Sequence, residues 1–180
     1  MNAPHIHLLV NHVPILGSAF GLFLLLLSLH PRFGANVRRA ALVFFVVTGL
    51  FSILSVLSGD AAHELLHGTP GIVSANVEAH EEAADKASMV AIITGLAALL
   101  MLVMDWMGRK LPGFVPWLVY LLAILTFALM VYTGEVGGHI RHPEIVKGWT
   151  AQAHRSETGN SAAKTGETPG DTEHQHGDDD

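Results

Sequence analysis

Four stretches of this chain, Leu8–Leu29, Ala40–Ser58, Ala87–Met104 and Phe114–Gly134, contain no Asp, Glu, Lys or Arg, and each is at least 18 residues long. At about 1.5 Å per residue such runs cross most or all of a hydrocarbon core about 30 Å thick. Lipid offers no water to satisfy backbone N–H and C=O groups, so closely spaced apolar runs of this length read as helices rather than barrel strands. The expected fold is all-α, a four-transmembrane-helix up-down bundle within residues 1–147, with helices at about 8–29, 40–58, 87–107 and 114–134.

Composition agrees: half of the residues are hydrophobic and the mean hydropathy is +0.41, too apolar for a soluble domain of this size. The first run has no basic residue ahead of it and no small-residue cleavage site after it, so a retained helix is expected rather than a signal peptide. There is no cysteine, which removes disulfides, thiolate-ligated metals, Fe–S clusters and CxxCH haem attachment. Any cofactor would be held by His, carboxylate or Met.

Charge sets the expected orientation. Arg32, Arg38 and Arg39 lie between the first two runs, and Arg109 and Lys110 between the last two. The opposite side holds the N-terminus, residues 59–86 and the C-terminal segment, and it is acidic. By the positive-inside rule the Arg-containing loops are cytoplasmic, which predicts a multi-pass protein of a bacterial inner membrane with both termini periplasmic. Trp106, Trp117, Tyr120 and Tyr132 fall near helix ends, where aromatic rings favour the headgroup layer. Gly17 and Gly21 form a GxxxG spacing that permits close helix contact.

Residues 148–180 are rich in Ser, Thr, Gly, Glu and Asp, and after Lys147 two cations stand against seven carboxylates. Such a segment has too little apolar surface to order itself and reads as a disordered acidic tail, in which His174 and His176 are loose metal donors at most. With no basic patch, nucleic acid is not an expected partner.

Twelve histidines are present, and their placement matters more than their number. An up-down order gathers His5, His7 and His12 ahead of or early in the first helix, His63 and His67 after the second, His80 before the third, and His139 and His142 after the fourth. Around the third helix Val73, Val77, His80, Ala84 and Ala87 share one stripe at helical spacing, while Glu78, Glu82 and Asp85 share another. His80 is therefore expected to face the bundle with Glu81 on its flank, and Glu78 and Glu82 to face solvent.

At the end of the second helix His63 and His67 are one turn apart and able to chelate one ion. His63-Glu64-Leu65-Leu66-His67 also matches HExxH, in which two His bind zinc and the Glu acts as base, but no substrate cleft accompanies it. Glu64 and His67 fit the ExxH of diiron bundles, though no second copy is present. Asn11 is placed to cap the turn containing Pro14, which sets His12 at the bundle mouth. Gly137 and Gly138 predict a left-handed reversal after the fourth helix, folding 139–145 back so that Arg141 meets Glu64, Glu81 or a cofactor carboxylate.

The segments His7-Leu-Leu-Val-Asn-His-Val-Pro-Ile15, Ala79-His80-Glu81-Glu82-Ala83 and Gly137-Gly138-His-Ile-Arg141-His142-Pro-Glu144-Ile145 together resemble an uncharacterised family of bacterial four-helix integral membrane proteins, over about residues 5–146. The resemblance implies that Asn11, His12, His80, Glu81, Arg141, His142 and Glu144 are its polar signature. It brings no settled activity. Where that family is expected to have acidic residues at the end of the second helix, this chain has His63 and His67.

The expectation for function is a periplasmic-side His/carboxylate cluster that binds haem b or a divalent metal ion in a redox or respiratory role. His12, His80 and His142 are the haem-ligand candidates, with Arg141 for a propionate, and His12, His63, Glu64, His67, His80, Glu81 and His142 are the metal-ligand candidates. Expected partners are the lipid bilayer and a periplasmic redox protein or the other subunits of a membrane complex. The same polar groups also suit a non-catalytic structural or assembly subunit, in which they cap the helix ends and dock a partner. A transporter fits less well, because the first, third and fourth runs hold no intramembrane charge pair.

Overall fold

The computed structural model describes residues 7, 9–66 and 74–141, and of residues 60–66, 74 and 141 it describes the backbone alone. Four helices follow in order: α1 His12–Leu27, α2 Gly34–Leu66, α3 Ser74–Trp106 and α4 Phe114–Arg141. No strand occurs among the described residues. α2, α3 and α4 are long and apolar enough, by length and composition, to cross a membrane. α1, at 16 residues, is shorter and spans about 24 Å.

α2 and α3 each run for 33 residues, about 50 Å, well beyond the uncharged runs inside them. Residues 59–86, expected largely as a loop, are therefore helical through Leu66 and again from Ser74. The polar turns of α3 hold their own surface pairs, such as Lys86 Nζ to Glu82 Oε1 at 2.7 Å. α3 ends at Gly108, whose φ of +65° is the left-handed conformation glycine adopts most readily. There the Arg109 N–H donates to the Met104 carbonyl and the Gly108 N–H to the Asp105 carbonyl, the paired bonds of a Schellman cap.

Packing joins α1 to α2, α2 to α3, α3 to α4 and α1 to α4. Small residues set the α1–α2 approach: Gly17 lies against Thr48 and Gly21 against the Phe45 ring, so the GxxxG spacing is used inside this bundle. The Arg38 and Asp105 end has an apolar core of Leu25, Ala41, Leu42, Phe45, Ala98, Met101, Val119 and Ala123. Toward the other end a smaller apolar cluster of Ala87, Ala91 and Met130 is accompanied by buried hydroxyls, among them Ser18, Thr48, Ser52, Ser58, Ser88, Thr94, Thr126 and Thr133. Thr94 and Thr126 join α3 to α4 by a 2.8 Å hydroxyl–hydroxyl hydrogen bond. Large apolar side chains, among them Phe23, Leu57, Leu96 and Leu121, stand exposed on the outside, as contact with lipid requires.

Candidate functional site

His80 sits on the face of α3 that also buries Val77, Ala83 and Ala87, while Glu78, Glu82 and Asp85 on the other side are exposed. Its Nδ1 lies 3.2 Å from the Thr133 carbonyl oxygen of α4. The imidazole rests on Gly137: a Cβ there would come within 2.9 Å of His80 Cε1 and 3.0 Å of Nδ1. This contact accounts for a departure from expectation. Gly137 and Gly138 do not reverse the chain, and α4 stays helical through Arg141; among the described glycines φ is positive only at Gly34 and Gly108. Glycine inside a helix costs about 0.5–1 kcal/mol relative to alanine, and here its missing Cβ is the room that the His80 ring occupies.

Asn76, one turn before His80, donates from Nδ2 to the His139 carbonyl oxygen at 3.1 Å, a second tie between α3 and the end of α4.

His7, not singled out as a ligand candidate from sequence, lies just ahead of α1 in a turn already helical, because the Asn11 N–H donates to the His7 carbonyl at 2.9 Å. Its Nδ1 is 3.1 Å from the Ser55 carbonyl oxygen and 3.2 Å from Ser58 Oγ, both on α2. A Cβ on Gly59 would meet His7 Cε1 at 3.3 Å. His7 and His80 are near enough to interact electrostatically. The signal for His7 was present in Ser55, Ser58 and Gly59, but it becomes readable only once the α1–α2 register is known.

Asn11 does not cap a helix start. It has φ −65° and ψ −23°, helical values, and makes no side-chain cap bond. The helical turn began upstream, and Asn11 Oδ1 is instead buried without a hydrogen-bond partner. The His12 side chain is exposed and that of Glu81 is half-buried. His63 and Glu64 belong to α2 and Arg141 ends α4, with their backbones alone described, and His67, His142 and Glu144 lie outside the described residues, as does the segment 148–180. Among the described residues no three His, Asp or Glu side chains gather closely enough to hold a metal ion.

Both ends of the bundle hold polar ties, but of different chemistry. Asp105 Oδ2 accepts from Arg38 Nη2 and Arg39 Nε, each at 3.4 Å, and this end offers charge neutralisation between α2 and α3. The opposite end presents imidazoles whose Nδ1 atoms are engaged by backbone carbonyls. No family model, curated protein or solved structure matches the chain.

Proposed function

We propose that the chain is an integral protein of a bacterial inner membrane, an up-down bundle with both termini periplasmic and a disordered acidic tail, and that its periplasmic mouth binds haem b or a metal ion in a redox or respiratory role. The observation behind this reading is the setting of His80. A carbonyl oxygen can only accept, so Nδ1 is the donor toward Thr133 and the neutral ring keeps its lone pair on Nε2. An imidazole fixed in this way by a backbone carbonyl is the usual state of a metal-ligating histidine. The ring lies on the bundle-facing side of α3, where an ionisable residue is costly and defaults to a functional role.

The up-down order is supported by the consecutive packing of the helices and by their ties. His7 to α2, Asn76 to His139 and His80 to Thr133 cluster at one end, and Arg38 to Asp105 marks the other. The positive-inside asymmetry assigns the histidine end to the periplasm. The apolar core at the cytoplasmic end separates the mouth from the far surface, so electrons would enter and leave on the periplasmic side, through a periplasmic redox protein or an adjoining subunit. The resemblance to bacterial four-helix membrane proteins through the NHVPI, HEEA and GGxIRHPEI segments belongs to the same proposal.

The test is an optical spectrum, oxidised and dithionite-reduced, with metal analysis of the same detergent-purified sample. A reduced α-band or stoichiometric bound metal is expected. A folded protein without either would overturn the cofactor reading and favour a docking subunit.

A further inference from the structure

We infer that the arginine end of the bundle, at Arg38 and Arg39, binds the phosphate of an anionic phospholipid from the leaflet that meets this end; this rests on the membrane reading above and is independent of the cofactor.

Charge at this end is unbalanced. Residues 28–40 and 104–116, which connect α1 to α2 and α3 to α4, hold five cations, Arg32, Arg38, Arg39, Arg109 and Lys110, against one carboxylate, Asp105. Arg38 Nη2 and Arg39 Nε both donate to a single oxygen of it, Oδ2, at 3.4 Å each. One negative charge is thus divided between two guanidinium groups, and the Arg38 Nε–H is buried without an acceptor, so the pair is short of acceptors as well as of charge. A phosphodiester brings one negative charge and oxygens whose spacing suits guanidinium donors.

Helix stability gives no reason for the two arginines. They follow directly on the first turn of α2, which begins at Gly34, and the N-terminal end of a helix favours anions over cations. Neither α2 nor α4, the two helices that begin at this end, has an acidic residue in its first turn. The chain leaves negative charge here to be supplied from outside.

The surroundings of the cations favour a lipid over a free anion or an acidic peptide. Trp106, next to Asp105, is 88% exposed, and Phe33, Phe114 and Trp117 are exposed around the same end. Val43 and Phe44 continue an exposed apolar surface along α2 directly beyond the arginines. Inorganic phosphate matches the charge and leaves these side chains in water. A phospholipid matches both, with its phosphate at the guanidinium groups, its headgroup layer at the aromatic rings and its acyl chains along the apolar shaft.

The experiment reconstitutes the full chain in phosphatidylcholine vesicles with a trace of spin-labelled phosphatidylglycerol or spin-labelled phosphatidylcholine, and electron paramagnetic resonance measures the fraction of each held at the protein. Phosphatidylglycerol should be held in preference, and the preference should fall as salt is raised. Arg38→Gln and Arg39→Gln should each lower it by up to roughly fivefold, the effect of about one charge near a lipid surface. Asp105→Asn should raise it by a similar factor, a gain that a poorly folded variant cannot imitate. Lys86→Gln, at the opposite end and already neutralised by Glu82, should leave it unchanged. A preference unaltered in both arginine variants and in Asp105→Asn would overturn the site. Inorganic phosphate displacing the lipid more strongly than chloride at equal ionic strength would overturn the lipid in favour of a free phosphate. A chain that resists alkaline carbonate extraction but holds both lipids equally would overturn the site and leave the membrane reading intact, whereas a chain that carbonate strips from the vesicles would overturn both.

Discussion

Gly49 and Gly95 meet backbone to backbone where α2 crosses α3: a Cβ on Gly95 would lie 3.2 Å from the Gly49 Cα and 3.0 Å from the Phe45 carbonyl oxygen, and one on Gly49 3.3 Å from the Gly95 Cα. In lipid the hydrophobic effect does not drive one apolar helix onto another, so close approach through small residues supplies the dispersion contact. These two glycines interrupt the second and third runs for that reason.

The first prediction follows from this contact. Gly95→Ala sets a methyl group against a carbonyl that cannot swing aside, and it is expected to destabilise the bundle by about 1–3 kcal/mol. Gly138→Ala is the comparison, because a Cβ there meets nothing within 4 Å. Better helix propensity should make it neutral or stabilising by up to about 1 kcal/mol. Reversible unfolding in mixed micelles, followed by circular dichroism, measures both; equal effects would refute the close crossing.

A second prediction concerns the hydroxyls of the polar half. Thr94 and Thr126 are joined by one hydroxyl–hydroxyl hydrogen bond, and the hydroxyl that accepts in it donates its own hydrogen to a carbonyl of its own helix. Thr126→Val removes the interhelical bond at constant shape and should cost about 0.6–1.7 kcal/mol, the range for such bonds in membranes. Ser52 Oγ is buried with no partner, so Ser52→Ala deletes an unsatisfied group and should be neutral or stabilising. The same unfolding measurement applies, and a larger loss from Ser52→Ala than from Thr126→Val would contradict this assignment of partners.

The apolar helices were legible because an uncharged apolar run of 18 or more residues is the composition of a bilayer-spanning helix, and three of the four helices are long and apolar enough to cross a membrane. The ends of the helices were not. Polar turns such as Glu78 to Lys86 have the composition of a loop, and they are helical here because α3 continues through them. Gly137 and Gly138 illustrate the same limit, since glycine after an apolar run signals a helix stop unless a neighbour needs the space, and that neighbour, His80, comes from a different helix. The inward face of His80 could be read from Val77, Ala84 and Ala87, because helical spacing is local. His7 could not be chosen over His12, because the choice depends on the register of α1 against α2, fixed by Gly17 at Thr48 and Gly21 at Phe45.

A third prediction addresses the other end. Asp105 receives Arg38 and Arg39 at 3.4 Å, but the two arginine side chains are 36% and 51% exposed. Pairs so open to solvent contribute about 0–1 kcal/mol. Asp105→Asn should therefore lower stability by no more than about 1 kcal/mol, with a deficit that shrinks as salt is raised. A loss of several kcal/mol that is independent of salt would place this cluster in a drier setting than its exposure indicates.

The last prediction isolates the seat of His80 from the question of which cofactor it serves. In Gly137→Ala the new methyl would stand 2.9 Å from His80 Cε1 and 3.0 Å from Nδ1, so the ring must move away and surrender its bond to the Thr133 carbonyl. Alanine is also the better helix former by about 1 kcal/mol, which offsets part of the packing loss and keeps the fold. The tautomer is the readout. Nitrogen-15 spectra of histidine-labelled protein without added haem should show His80 protonated on Nδ1 in the native chain and a mixture of tautomers in Gly137→Ala. Gly134→Ala, where the nearest atom is Ile15 Cδ1 at an ordinary 3.8 Å, should leave the His80 signals in place. If His80 keeps its Nδ1–H state in Gly137→Ala, the carbonyl of Thr133 is not what orients it, and the case for Nε2 as the ligating atom falls with it.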